Sequence, residues 1–262
     1  MFRVRYLAAF AALAWTAAWP QSADAASDRC PVPEQMARPG WSLEIVRARV
    51  VANEPIRIVV VGTASSTGVG LSAPDRVYPE RLADRLRAGL PGKRIEIVNR
   101  SKRGWTAAEM AKAIPEIVRT DRPALVVWQT GTVEAVRGID ANELGDALLA
   151  GVEELRKAKV DVVLMDSQYS PRTAALVNFR AYSHYMAWVS QSTDAELFRR
   201  FDLMRDWVET GAIAFDDIVT TAQQKTADLA HDCIGRALAD MILDAVVPPK
   251  SDKGAMPTAA QK

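Results

Sequence analysis

One stretch of this chain limits the folds open to it: an apolar segment that runs directly into a loop of small residues. The segment is Ile56–Val61, and residues 62–70 after it read Gly-Thr-Ala-Ser-Ser-Thr-Gly-Val-Gly. A short apolar run that ends at turn-forming residues is typical of a strand buried on both faces. Further strand candidates of this kind are residues 94–98, 124–129 and 160–165, with a short one at 196–199.

Segments with helical spacing of apolar residues lie between and after these runs, at residues 78–88, 107–119, 143–158, 173–189 and 229–246. Pro115 falls inside the second of them and predicts a kink or an early helix end. Strands that alternate with helices indicate a parallel sheet covered on both faces. The predicted fold is therefore α/β, a three-layer sandwich with a central, mostly parallel sheet. Ligands bind such sheets at the carboxyl ends of the strands, which directs attention to loops 62–70, 99–106 and 130–137.

The two ends of the chain differ in residue pattern from its middle. Arg3 and Arg5 precede an apolar run at residues 7–19, and Ala23-Asp24-Ala25 is a small-x-small cleavage site. This pattern predicts a signal peptide over residues 1–25, the alternative being an uncleaved anchor, although the apolar run is short for a membrane span. After the signal peptide we expect one domain over residues 26–247, followed by a disordered polar tail over residues 248–262. We thus expect a periplasmic or secreted protein with no membrane span after cleavage.

Charge and cysteine content exclude several classes of protein. The chain has 33 basic and 32 acidic residues, a balance that gives no case for nucleic acid as a partner. In an oxidising compartment Cys30 and Cys233 predict one disulfide, the alternative being two buried free thiols. Two histidines and two distant cysteines offer no metal-ligand spacing. The glycines fit no dinucleotide fingerprint and no phosphate-binding loop, so no cofactor is expected.

Several sequence blocks occur in the order found in one enzyme family. Gly62, Gly68 and Gly70 register without a gap on a Gly-Ser-Ser-Ser-Thr-x-Gly-x-Gly block, Asn99–Gly104 is similar to Asn-Arg-Gly-x-x-Gly, and Trp128–Val133 is similar to Trp-Gln-x-Gly-Thr-Asn. On these blocks the chain, from residue 56 to about 246, resembles a branch of the SGNH/GDSL hydrolases. The resemblance implies the flavodoxin-like SGNH hydrolase fold and acyl or acetyl ester hydrolysis. In that reaction a serine attacks the carbonyl, a histidine with an aspartate three residues before it takes the proton, and backbone and asparagine donors hold the oxyanion.

The same register places altered residues at most of the catalytic positions. Ala64 falls on the nucleophile, Gly104 on the oxyanion glycine and Val133 on the oxyanion asparagine. Registering the closing helix puts Ala222 at the aspartate and Lys225 at the histidine. Members of a catalytic triad act as a unit, so the resemblance predicts a pseudoenzyme that acts as a binding or accessory domain.

Two further interpretations remain open at this point. Ser65, Asp228 and His231 form a shifted set with Asp-x-x-His spacing, which would make the chain an active ester hydrolase; otherwise Asp228 caps a helix and His231 lies on its face. A cluster of Lys102, Arg103, Trp105 and Lys225 suggests a site for an anionic, glycan or acyl ligand, the alternative being a solvated loop. A purely structural envelope protein is a third possibility, and the oligomeric state is not predicted.

Overall fold

The computed structural model describes residues 29–215 and 220–246. The predicted signal peptide, residues 1–25, and the predicted tail, residues 248–262, lie outside these described residues. No helix within the two described ranges is long and apolar enough to cross a membrane.

A five-stranded parallel sheet forms the centre of the fold, as predicted. The strands are β1 Ile56–Val61, β2 Ile95–Asn99, β3 Leu125–Gln129, β4 Asp161–Met165 and β5 Glu196–Phe198. Their order across the sheet is β2-β1-β3-β4-β5, and every neighbouring pair is parallel. β3 is buried along its whole length because helices cover both faces of the sheet.

Helices occupy the layers above and below the sheet. They are α1 Glu34–Ala37, α2 Glu44–Ala52, α3 Tyr78–Gly89, α4 Ala107–Asp121, α5 Thr132–Arg137, α6 Ala141–Lys157, α7 Pro171–Leu176, α8 Arg180–Thr193, α9 Arg200–Glu209 and α10 Thr220–Val246, with short 3₁₀ turns at Ala64–Thr67 and Pro74–Arg76. Successive side chains of β1 point to opposite layers. Ile58 and Val60 pack in the core shared with α3 and α10, whereas Val59 and Val61 pack in the core shared with α4 and α6.

Three helices differ from their predicted limits. α4 continues past Pro115 to Asp121, and its first turn is fixed by a capping box between Thr106 and Glu109. The segment predicted as one helix at 173–189 is split into α7 and α8: the backbone is extended at Val177 after α7, and the side-chain oxygen of Asn178 accepts from the N–H of Arg180, the first residue of α8. α10 begins at Thr220 rather than at residue 229.

A disulfide joins Cys30 to Cys233, which confirms the predicted pairing. It ties the segment ahead of α1 to the middle of α10 across a sequence separation of 203 residues. The indole N–H of Trp207 donates to the carbonyl of Pro31 at 2.8 Å beside it. The N-terminal segment is therefore held against α9 and α10.

Candidate functional site

The loop after β1 packs tightly against the end of β3. A Cβ atom on Gly62 would lie 2.3 Å from Ser66 Oγ and 2.9 Å from Gln129 Oε1, so a glycine is needed for this close approach. The 3₁₀ turn Ala64–Thr67 follows at once and ends at Gly68, whose φ is 77°. The residues of this turn are thereby fixed at the carboxyl edge of the sheet.

Gln129, the last residue of β3, is the acceptor on which this loop is organised. Its Oε1 accepts from the Thr63 backbone N–H at 2.9 Å. The hydroxyls of Thr63, Ser65 and Ser66 lie 3.3, 3.2 and 3.0 Å from the same oxygen. An amide oxygen has two lone pairs, so these three hydroxyls compete for it. The Nε2 atom of Gln129 is buried and has no hydrogen-bond partner among the described residues.

Arg200 brings a cation beneath the same loop. It is fully buried at the start of α9, and its Nη1 donates to Ser65 Oγ at 3.0 Å. Its Nε and Nη2 have no hydrogen-bond partner within the described ranges. Burial lowers the pKa of Arg200, while Tyr78 and Asp166 raise it, and a guanidinium stays protonated near neutral pH.

Asp166, directly after β4, is the carboxyl group whose charge acts on Arg200. Its Oδ1 accepts from the Phe201 backbone N–H at 2.8 Å. Burial raises the pKa of Asp166 to about 7, against the opposing effects of that hydrogen bond and of Arg200. Near neutral pH this carboxyl is therefore only partly ionised and neutralises Arg200 incompletely.

The members of the shifted catalytic set are each hydrogen-bonded to a different group. Nδ1 of His231 accepts from the Tyr78 backbone N–H at 3.1 Å, and Asp228 accepts from the backbone N–H of Ser72 at 3.0 Å and from its hydroxyl. Ser65 bonds to Gln129 and Arg200. Burial, followed by the charge of Arg200, lowers the pKa of His231 to about 4. No hydrogen bond joins any two of the three in the part of the chain that the structure describes.

A cavity of about 230 Å³ opens beside Ala64. The first loop contributes three lining residues, α5 contributes four, and one follows β4: Thr63, Ala64, Ser65, Thr132, Val133, Val136, Arg137 and Gln168. The structure thus brings together two of the predicted family positions, Ala64 and Val133. Gly104, with φ of 79°, lies close by, since a Cβ on it would be 3.1 Å from Arg137 Nη2. Ala222 and Lys225 lie in the first turns of α10, where Lys225 is exposed.

The predicted cluster of ligand-binding residues does not line this cavity. The ammonium of Lys102 lies 5.6 Å from the centre of the Trp105 ring, and Trp105 lines a separate hollow on α4. Arg103 is an exposed loop residue. Sequence reasoning missed the cations near the cavity, Arg137 and Arg200. Arg137 could have been found from the sequence, because it lies one helical turn after Val133.

No group of three or more His, Cys, Asp or Glu side chains is placed to hold a metal ion in residues 29–215 and 220–246. The residues that line the cavity offer hydroxyl, amide and guanidinium donors beside a small apolar wall.

The parallel five-stranded sheet, with its cavity between the loop after β1 and the helix after β3, matches the fold of the SGNH hydrolases. A model of the non-GDSL lipase-like family matches residues 29–248, and the chain belongs to that family.

One relative of this chain is an esterase. This chain is 28% identical to the esterase TesA of Pseudomonas aeruginosa over 117 residues. The aligned region covers 44% of this chain and 55% of TesA. The chain thus matches about half the length of that relative.

Solved structures share the architecture. AlinE4, an SGNH-hydrolase family esterase, superposes with a TM-score of 0.52 and 25% identity over 63% of this chain and 86% of AlinE4. A catalytic mutant of Axe2, an acetylxylan esterase from Geobacillus stearothermophilus, superposes with a TM-score of 0.57 over 71% of this chain and 94% of Axe2. Identity to Axe2 is 17%, so this likeness concerns the fold alone.

Proposed function

We propose that this protein is an exported, non-hydrolytic member of its family that acts as a binding or accessory domain. Ala64 carries the proposal, because it occupies the position at which the resemblance puts the attacking serine. A methyl group has no lone pair with which to attack a carbonyl. The cavity of about 230 Å³ beside it is lined by Ala64 and therefore receives no nucleophile from that position.

The other catalytic positions support the same conclusion. Val133 lines the cavity, yet its side chain has no hydrogen-bond donor for an oxyanion. Loss of one such donor typically costs about 100- to 1,000-fold in rate. Lys225 falls at the position of the histidine base in the same register, yet it is exposed on α10 and is not among the residues that line the cavity.

The alternative function, ester hydrolysis by Ser65, Asp228 and His231, is less well supported. The Nδ1 lone pair of His231 is already used by the Tyr78 N–H. Its pKa of about 4 makes the imidazole a weak base at neutral pH.

Export is the second part of the proposal. It is supported by the basic, apolar and small-residue pattern of residues 1–25. The disulfide between Cys30 and Cys233 adds support, because such bonds persist in oxidising compartments. The periplasm or the extracellular space fits both observations.

Steady-state assays with p-nitrophenyl acetate and butyrate test the loss of hydrolysis. The purified protein should give no turnover above the rate of the same sample after unfolding, with TesA assayed beside it as a positive control. Turnover that both Ser65→Ala and His231→Ala abolish would establish the alternative.

Ala64→Ser tests whether the missing hydroxyl alone explains inactivity. We expect turnover to rise less than about tenfold over background, because the base and the oxyanion donor are still absent. A gain of about 1,000-fold or more would mean that a working base lies beside position 64.

A further inference from the structure

We propose that the cavity beside Ala64 binds the carboxylate of a short aliphatic acid, held between Arg137 and Ser65. This inference rests on the proposed function and specifies the ligand of the same site. Its basis is the charge and the shape of the cavity.

The charges around the cavity favour an anion. Arg137 lines it, and within the described ranges no carboxylate lies within ion-pair distance of that guanidinium and none lines the cavity. Behind Ser65, Arg200 is buried, and two of its nitrogens have no hydrogen-bond partner among the described residues. A buried cation that is not hydrogen-bonded to a carboxylate is unfavourable. An anion in the cavity, separated from Arg200 by Ser65, would offset that cost.

In the described ranges the neighbouring acidic groups accept their hydrogen bonds from donors other than Arg137. Glu134, beside the cavity on α5, is buried and accepts from the backbone N–H groups of Ala107 and Gly131. Glu109, whose charge interacts with that of Arg137, caps α4 through Thr106. Asp166 is only partly ionised near neutral pH.

Ser65 supplies the second contact. Its oxygen accepts from Arg200, and its own proton competes with three other donors for the Gln129 oxygen. Turning that proton into the cavity therefore leaves Gln129 satisfied. A carboxylate there would accept one bond from Ser65 and one or two from Arg137.

The apolar residues that line the cavity determine which hydrocarbon chain of the ligand fits. Ala64, Val133 and Val136 present methyl groups, and Val136 is 57% exposed. A volume of about 230 Å³ lies below the usual range for drug-sized ligands, about 300 to 1,000 Å³. A chain of a few carbons fits this space and covers the apolar wall.

Isothermal titration of the full protein with butyrate and with butyramide, its neutral analogue, tests the proposal. Butyrate should bind at least about tenfold more tightly than butyramide, which corresponds to one charge-assisted hydrogen bond. Arg137→Gln should remove that preference and leave butyramide binding unchanged. Arg94→Gln is the matched control, because it removes an exposed charge at the amino end of β2 and should keep the preference.

Three outcomes would overturn the inference: equal affinity for the acid and the amide, an unchanged preference in Arg137→Gln, or inorganic phosphate binding more tightly than butyrate. Failure of the proposed function is separately visible, because ester turnover would disprove the non-hydrolytic role whether or not butyrate binds. No turnover together with no preference for butyrate would overturn the carboxylate site alone.

Discussion

Arg200 and Asp166 approach each other in the interior without a hydrogen bond between them in the described chain, and burial shifts each toward its neutral form. The aspartate titrates near 3.9 in an unfolded chain and at about 7 in the folded protein. Between these values the folded state keeps a proton that the unfolded state loses. The contribution of Asp166 to stability is therefore greatest below pH 4 and is lost as the pH rises to about 7.

Asp166→Asn tests this residue-level account, since the amide keeps an acceptor for the Phe201 N–H and does not titrate. We expect the difference in unfolding free energy, wild type minus variant, to fall by up to about 3 kcal/mol between pH 5 and pH 8. Urea unfolding at both pH values measures it. His231 and Asp161 also have shifted pKa values, but they are common to both proteins and cancel. A difference that stays constant with pH would refute the account.

At the scale of elements, close contacts hold the helices against the sheet. α6 packs on β3 through Gly151, where a Cβ would lie 2.4 Å from the Trp128 ring and 2.8 Å from Ile114. Trp128 is fully buried, and its indole N–H lies 3.1 Å from Met110 Sδ. The ring therefore has little room to move away from an added methyl group.

Gly151→Ala should destabilise the protein by at least about 1 kcal/mol, although alanine is favoured over glycine in an exposed helix by about the same amount. The clash with Trp128 outweighs the helix propensity. Asp146→Ala, at an exposed position of α6, is the control and should change stability by less than about 0.5 kcal/mol. Thermal unfolding compares the two variants, and a stabilised Gly151→Ala would contradict this description of the packing.

For the whole molecule, the disulfide closes nearly the entire described chain into one loop. The double variant Cys30→Ser/Cys233→Ser should lose about 2 to 5 kcal/mol of unfolding free energy. Urea unfolding with and without a reducing agent measures the loss. Reduction should lower the stability of the wild type to that of the variant and leave the variant unchanged. Equal stability of the oxidised and reduced wild type would disprove the stabilising role of the disulfide.

Across the molecule, the sheet could be predicted because continuous apolar runs such as β1 and β3 are buried on both faces. The split at Asn178 and the early start of α10 could not, since each depends on local caps or tertiary packing that apolar spacing does not record. At the site, Ala64 and Val133 followed from the family register. Gln129 and Arg200 were missed because they meet Ser65 across 64 and 135 residues of chain.

Intact-mass spectrometry after incubation with a fluorophosphonate tests the central claim most directly, because that reagent bonds to an activated serine whatever the natural ester is. The account predicts an unmodified mass under conditions that label TesA completely. A single adduct that Ser65→Ala removes would contradict it, and would show that a nucleophile one residue beyond Ala64 has taken over the site.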